Sequence, residues 1–184
     1  MSRGRAVVEE LAATLARVGE QLDWASVDAV VALLLGARRV FLYGAGRSRS
    51  IALGIGQRLT HVGCDVTLIG ESGTSRFTAD DVLIVVSGSG ASPSAVTIAE
   101  LAVAAGGGEI VAITTAPDSP VGRLATRHVV VPTRSKLREH PTLAPYTAHF
   151  DTAALVVGEA IAALAMDARG LSDEDIELYR PNVE

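Results

Sequence analysis

Residues 39–48 read RVFLYGAGRS, and residues 82–92 read VLIVVSGSGAS. Each stretch is a short apolar run that ends in glycine and serine and then passes into a helix-like pattern. Neither run alternates polar with apolar residues, so neither suits a sheet with one wet face; both suit parallel strands covered on both sides. In an open parallel sheet, ligands sit beyond the carboxyl ends of the strands, near the switch in strand order. Glycine at Gly44, Gly46, Gly88 and Gly90 lets the backbone turn tightly and approach a ligand. The helix that follows presents free N–H groups and a positive dipole end. The hydroxyls of Ser48, Ser87, Ser89 and Ser92 can each donate a hydrogen bond to an anionic oxygen. This amounts to a phosphate cradle that needs no lysine. A single loop of this kind could be no more than a turn with an N-cap, but two at two strand ends favour an anion site.

Working outward, three further runs complete the sheet: Asp65–Ile69, Glu109–Ile113 and His128–Val131 join Arg39–Tyr43 and Val82–Val86. Helix-like stretches separate them at Ser48–Val62, Ser92–Ala105 and Val121–Thr126. Alternating strand and helix predicts an α/β fold, a three-layer α-β-α sandwich on a five-stranded, mostly parallel sheet with right-handed crossovers. Two leading helices occupy residues 1–36. Val7, Leu11, Leu15 and Val18 stripe the first, and Val27, Val30, Val31 and Leu34 the second, which Gly36 closes. Residues 37–132 hold the sheet and its crossovers. Residues 133–184 hold a loop at Thr133–Pro145, a long helix at about Tyr146–Arg169 and an acidic tail from Ser172. Mobility is expected first in that loop. The whole reads as one domain, 1–184.

Composition narrows the function. Sixteen basic against 21 acidic residues leave a net charge of −5, which offers no footprint for nucleic acid. The lone Cys64 excludes an internal disulfide and any multi-cysteine metal site. The Ala-rich run 153–166 is broken by Glu159, and about 20 apolar residues are needed to span a membrane. The basic Met1-Ser-Arg-Gly-Arg5 start leads to Glu9 and Glu10 in a helical pattern, not to an apolar signal segment. The expectation is a soluble, cytoplasmic protein without a membrane partner. Neither a metal nor a cofactor is indicated. The stretch Gly44-x-Gly46-x-x-Arg49 begins like a dinucleotide fingerprint, with Glu71 ending the next strand, but Arg49 stands where a third, small residue belongs. No Gly-Lys-Ser/Thr follows either glycine cluster.

These motifs resemble the sugar isomerase (SIS) domain family, and within it the 6-phospho-3-hexuloisomerases. The matching stretches are GAGRS at 44–48, QRLTHVG at 57–63, GE at 70–71, VSGSG at 86–90, AITTAPDSPVGRLA at 112–125 and PNVE at 181–184. The resemblance implies a small-molecule phosphosugar ligand, with Ser48, Ser87, Ser89 and Ser92 on its phosphate. It implies interconversion of D-arabino-hex-3-ulose 6-phosphate and fructose 6-phosphate through a cis-enediolate. It also implies a homo-oligomer, a dimer of dimers with sites at subunit junctions. The alternatives are an SIS isomerase of another sugar phosphate and a non-catalytic phosphosugar sensor.

Such a carbonyl shift needs a base for the proton alpha to the carbonyl, a donor for the oxyanion and a proton shuttle. The chain has Asp151 after Phe150 where the family carries glutamate, so Asp151 is the candidate base. Arg180 stands in place of a histidine in the family's closing motif, Arg49 in place of a glycine, and Ala91 in place of a glutamate. His61 is either a shuttle or a helix-face histidine bonded to backbone. Glu71 is either a base or hydroxyl-binding group, or a strand-end cap. Arg47 and Arg58 either grip substrate or form salt bridges. His140 and His149 are expected to be bystanders at the surface or in a loop, and Glu184 either reaches a neighbouring site or frays.

Overall fold

The structure, a computed structural model, describes residues 2–73, 75–134, 142–145 and 147–179. Five strands, β1 (Arg39–Gly44), β2 (Val66–Leu68), β3 (Asp81–Val86), β4 (Glu109–Thr114) and β5 (Arg127–Val130), form one sheet. The order is β2-β1-β3-β4-β5, and every pairing is parallel. The helices are α1 (Arg3–Gln21), α2 (Trp24–Gly36), α3 (Arg47–His61), α4 (Pro93–Ala104), α5 (Pro120–Leu124), α6 (Ala148–Arg169) and α7 (Asp173–Tyr179).

Strand alternation divides the core in two. Val40, Leu42, Val82, Ile84, Val86, Val111 and Ile113 face a layer built from α1, α2, α3 and α6. Phe41, Leu83, Val85, Ile110 and Ala112 face the thinner layer of α4 and α5. The central strands β1, β3 and β4 are thus covered on both sides, which is why their sequences lack a polar alternation. The three-layer sandwich expected from the runs is the one observed.

Two features of the helices differ from expectation. Helix α6 begins at Ala148 rather than near Tyr146, because Thr147 takes a left-handed conformation with φ 62°. The acidic tail also holds a short helix that the pattern did not name: Asp173, Glu174 and Asp175 form the first turn of α7, where they complement the helix dipole. The proposed closing motif at 180–184, His140 and most of the loop at 133–145 lie outside the described residues.

Helix α6 is long and apolar enough to cross a membrane by length and composition, which the broken alanine run did not suggest. Its apolarity is that of a core helix. Ala153, Ala154, Val157, Ile161 and Ala165 are buried in the larger layer. At Gly158 the two central helices come so close that a Cβ would lie 2.3 Å from Ile55 Cγ1 of α3. The small residue therefore serves helix contact.

A cleft at the switch between β1 and β3

Register brings the two glycine-serine loops together. Gly44 of β1 pairs level with Val86 of β3, so the loops begin side by side, about 4.8 Å apart across the ladder. They then diverge. The chain after β1 enters α3 on one face, and the chain after β3 enters α4 on the other. Between them opens a cleft of about 410 Å³ lined by Ser48, Ser87, Ser89 and Ser92 together with Arg47, Gly88, Thr147, Phe150 and Asp151.

The first loop is a tight turn. Gly46 has φ 56° and ψ −124°, and the Ser48 N–H donates to the Ala45 carbonyl at 3.1 Å. That combination is the first central position of a type II′ turn, which glycine fills without strain. Gly44 is needed for space instead: a Cβ there would lie 2.3 Å from the Ser48 carbonyl oxygen.

The second loop is held from β4. The Gly88 carbonyl accepts from the Thr115 N–H at 3.1 Å, the Thr115 hydroxyl at 2.8 Å and the Thr114 hydroxyl at 3.2 Å. In a trans peptide the N–H lies opposite its carbonyl, so the Ser89 N–H points away from β4. Gly90, at φ 58°, lets Ser119 pack against it; a Cβ would meet Ser119 Oγ at 1.8 Å. Ser92 is the N-cap of α4, yet its side chain makes no capping bond.

The state of the hydroxyls is informative. Among the described residues, those of Ser48, Ser87 and Ser92 have no protein partner, although Ser87 is only 5% exposed. The Ser89 hydroxyl accepts only a long bond of 3.4 Å from the Ala91 N–H. Four hydroxyls with so little internal bonding, lining one cleft, are donors free for an oxygen-rich ligand.

The same cleft carries a carboxylate. Asp151 is 5% exposed and sits in the first turn of α6. Arg47 Nε donates to its Oδ2 at 2.6 Å, and the Thr147 hydroxyl donates to the same oxygen at 2.7 Å. Arg47 thus bridges the β1 loop to α6, and the α6 end of the cleft is polar and charged. Thr147 was not foreseen. Its only signal in the sequence is a small polar residue just before a helix, which more often marks an ordinary N-cap.

Other candidates lie elsewhere. His61 is at the far end of α3 from Ser48, thirteen residues along the helix, a rise of about 20 Å. It faces a second cleft with Arg58, Gln57 and Asp173, and its Nδ1 is buried without a partner. Arg58 pairs with Glu159 of α6 at 2.8 Å. Glu71 lies at the sheet edge, exposed and bonded to Arg49. His149, expected at the surface or in a loop, is instead buried in α6. No group of three His, Cys, Asp or Glu suited to a metal ion occurs among the described residues.

An open parallel sheet with order 2-1-3-4-5 and a hydroxyl-lined cleft at its switch point defines a small-ligand-binding α/β protein. The SIS domain model matches residues 33–162, and the chain belongs to the SIS-domain family. The resemblance read from its motifs is borne out. It is similar to the 3-hexulose-6-phosphate isomerase of Mycobacterium gastri, with 33% identity over 97% of this chain and 88% of that one. The 3-hexulose-6-phosphate isomerase of Methylomonas aminofaciens is 30% identical over 97% and 96% of the two chains. A crystal structure known as that of a hypothetical protein superposes with a TM-score of 0.91 at 30% identity, covering 98% of this chain and 97% of the other.

Proposed function

We propose that this protein is a phosphosugar isomerase that interconverts D-arabino-hex-3-ulose 6-phosphate and fructose 6-phosphate. The observation that carries the reading is the pairing of unspent serine hydroxyls with one buried carboxylate across a single cleft. A phosphate dianion matches the hydroxyls of Ser48, Ser87, Ser89 and Ser92 and the backbone between Gly44 and Gly90. Names of relatives over nearly the full chain support the choice of sugar.

In this reading Asp151 takes the proton from C2 of the 3-ketose. The C–H electron pair becomes the C2–C3 double bond of a cis-enediolate, and the former carbonyl oxygen gains the negative charge. Return of the proton to C3 and transfer of a hydroxyl proton from O2 to O3 gives the 2-ketose, so atoms and charge balance. Oδ2 of Asp151 is already engaged by Arg47 and Thr147, so in this reading Oδ1 takes the proton. Arg47, beside the carboxylate, supplies the nearest positive charge for the oxyanion. His61 cannot take part within its own chain at about 20 Å and would enter only from a second copy. A homotetrameric, cytoplasmic enzyme built as one domain over 1–184 completes the proposal.

The test is turnover of hexulose phosphate made in situ from ribulose 5-phosphate and formaldehyde by a synthase, with fructose 6-phosphate as the readout. The parent protein should form product. Asp151→Asn should bind fructose 6-phosphate but lose at least about a hundredfold in kcat, as expected when a general base is removed. Thermal stabilisation by phosphosugars without any product would establish a sensor instead.

A further inference from the structure

Behind the cleft, on the side of α6 away from Asp151, lies a half-buried polar cluster. His149 is 7% exposed. Its Nε2–H donates to Glu10 Oε1 of α1 at 2.8 Å, with the Thr142 hydroxyl also 2.8 Å from that nitrogen. Its Nδ1 lies 2.9 Å from the Thr14 hydroxyl of α1. The Glu10 carboxylate also accepts from the Leu143 N–H at 2.9 Å and from the Thr142 hydroxyl. One carboxylate therefore joins α1, the segment at 142–143 and the first turn of α6. The Thr142 hydroxyl, then the Leu143 N–H, then His149 hold the Glu10 carboxyl below its ordinary range. It stays an ionised acceptor at neutral pH.

Residues 149 and 151 are two apart on a helix, so they point to nearly opposite sides of the same turn. His149 grips the outside while Asp151 faces the cleft. Between the cluster and the cleft stands Thr147, a β-branched residue in the left-handed region. Such a backbone persists only where its surroundings over-determine it. Its hydroxyl meets Asp151 Oδ2 at 2.7 Å, and that contact depends on the turn staying where it is.

We propose that His149, held by Glu10, is a positioning residue that fixes the first turn of α6 and with it the Asp151 carboxylate. The inference rests on Asp151 being the base of the isomerisation. The cluster lies apart from the two serine loops, so it acts on proton transfer and not on phosphate binding.

The experiment compares Glu10→Ala, the volume-conserving Glu10→Gln and His149→Gln by kcat and KM in the coupled assay, by calorimetric affinity for fructose 6-phosphate and by melting. Gln at 10 keeps one acceptor where three donors converge; Gln at 149 keeps an amide donor toward Glu10. Loosening the carboxylate should lower kcat about ten- to a hundredfold in Glu10→Ala and several-fold in Glu10→Gln. KM and the fructose 6-phosphate affinity should stay within twofold of the parent, and His149→Gln, which keeps a donor but loses the ring that spans Glu10 and Thr14, should lower kcat several-fold as Glu10→Gln does. A folded Glu10→Gln with parental kcat overturns the proposal, as does a loss of affinity that parallels the loss of kcat. Asp151→Asn, run beside them, separates the two readings. If it turns over like the parent, the base assignment has failed; if it is dead while Glu10→Gln is fully active, only the positioning role has failed. A parent that makes no product overturns both.

Discussion

Replacing Ser87 and Ser89 together by alanine removes two hydroxyls from the wall where β3 meets α4. Each would otherwise donate to a phosphate oxygen, and a hydrogen bond to a charged group is worth about 1.5–3 kcal/mol. The cleft is open enough for water to replace them, so the lower figure applies to each. Their joint loss then comes to about 3 kcal/mol, or roughly a 150-fold weaker Kd. Folding should barely notice. The Ser87 hydroxyl has no protein partner among the described residues, and that of Ser89 accepts only the 3.4 Å bond from Ala91, at the edge of what counts as a hydrogen bond. The melting temperature should stay within about 2 °C of the parent. Titration calorimetry with fructose 6-phosphate in phosphate-free buffer measures the effect, and circular dichroism checks the fold. A doubly substituted protein that melts normally and binds within threefold of the parent would refute the assignment of these serines to the phosphate.

Gly44→Ala should destabilise the protein by about 2–3 kcal/mol through overpacking, because the added Cβ meets backbone, the Ser48 carbonyl and the Arg49 nitrogen, at 2.3 and 2.8 Å. Thermal melting should show a drop of about 4–12 °C, with phosphosugar affinity falling as the first turn of α3 shifts. Asp81 offers a test away from the cleft: it is buried, paired with Arg38 Nη2 at 2.9 Å and bonded to the Thr78 N–H at 2.7 Å. Burial pushes its carboxyl up, but the bonds from Arg38 and Thr78 outweigh this and hold it below its ordinary value of 3.8. A carboxyl depressed in the folded state stabilises above that ordinary value, and its contribution drains away as pH falls below it. Asp81→Asn should therefore cost about 2 kcal/mol at pH 7, less than a fully buried pair because Arg38 is half-exposed. In urea unfolding below about pH 4, the gap between parent and variant should narrow; a gap that is constant with pH would refute the role given to the pair.

Much of this protein is legible along the chain because the relevant physics is local. Strands such as Val82–Val86 announce themselves by apolar runs with no wet face, and the glycines at 44, 46, 88 and 90 mark where the backbone must turn. The serines that line the cleft follow directly from those loops, so this part of its lining could be named before any coordinates. What the pattern could not supply was the partner of each group across the fold. Asp151 meets Arg47 over a separation of 104 residues, and His149 meets Glu10 over 139. Nothing in the neighbouring residues predicts either contact, since the direction in which a helix presents a side chain is set by the packing of α6 against α1, α2 and α3. The same packing buries His149, which its local surroundings suggested was a bystander, whereas the distance of His61 from Ser48 is set by the thirteen residues of α3 between them. Secondary structure follows from periodicity and turn chemistry within a few residues; the joining of a carboxylate to a cluster of hydroxyls follows from how whole helices settle on the sheet.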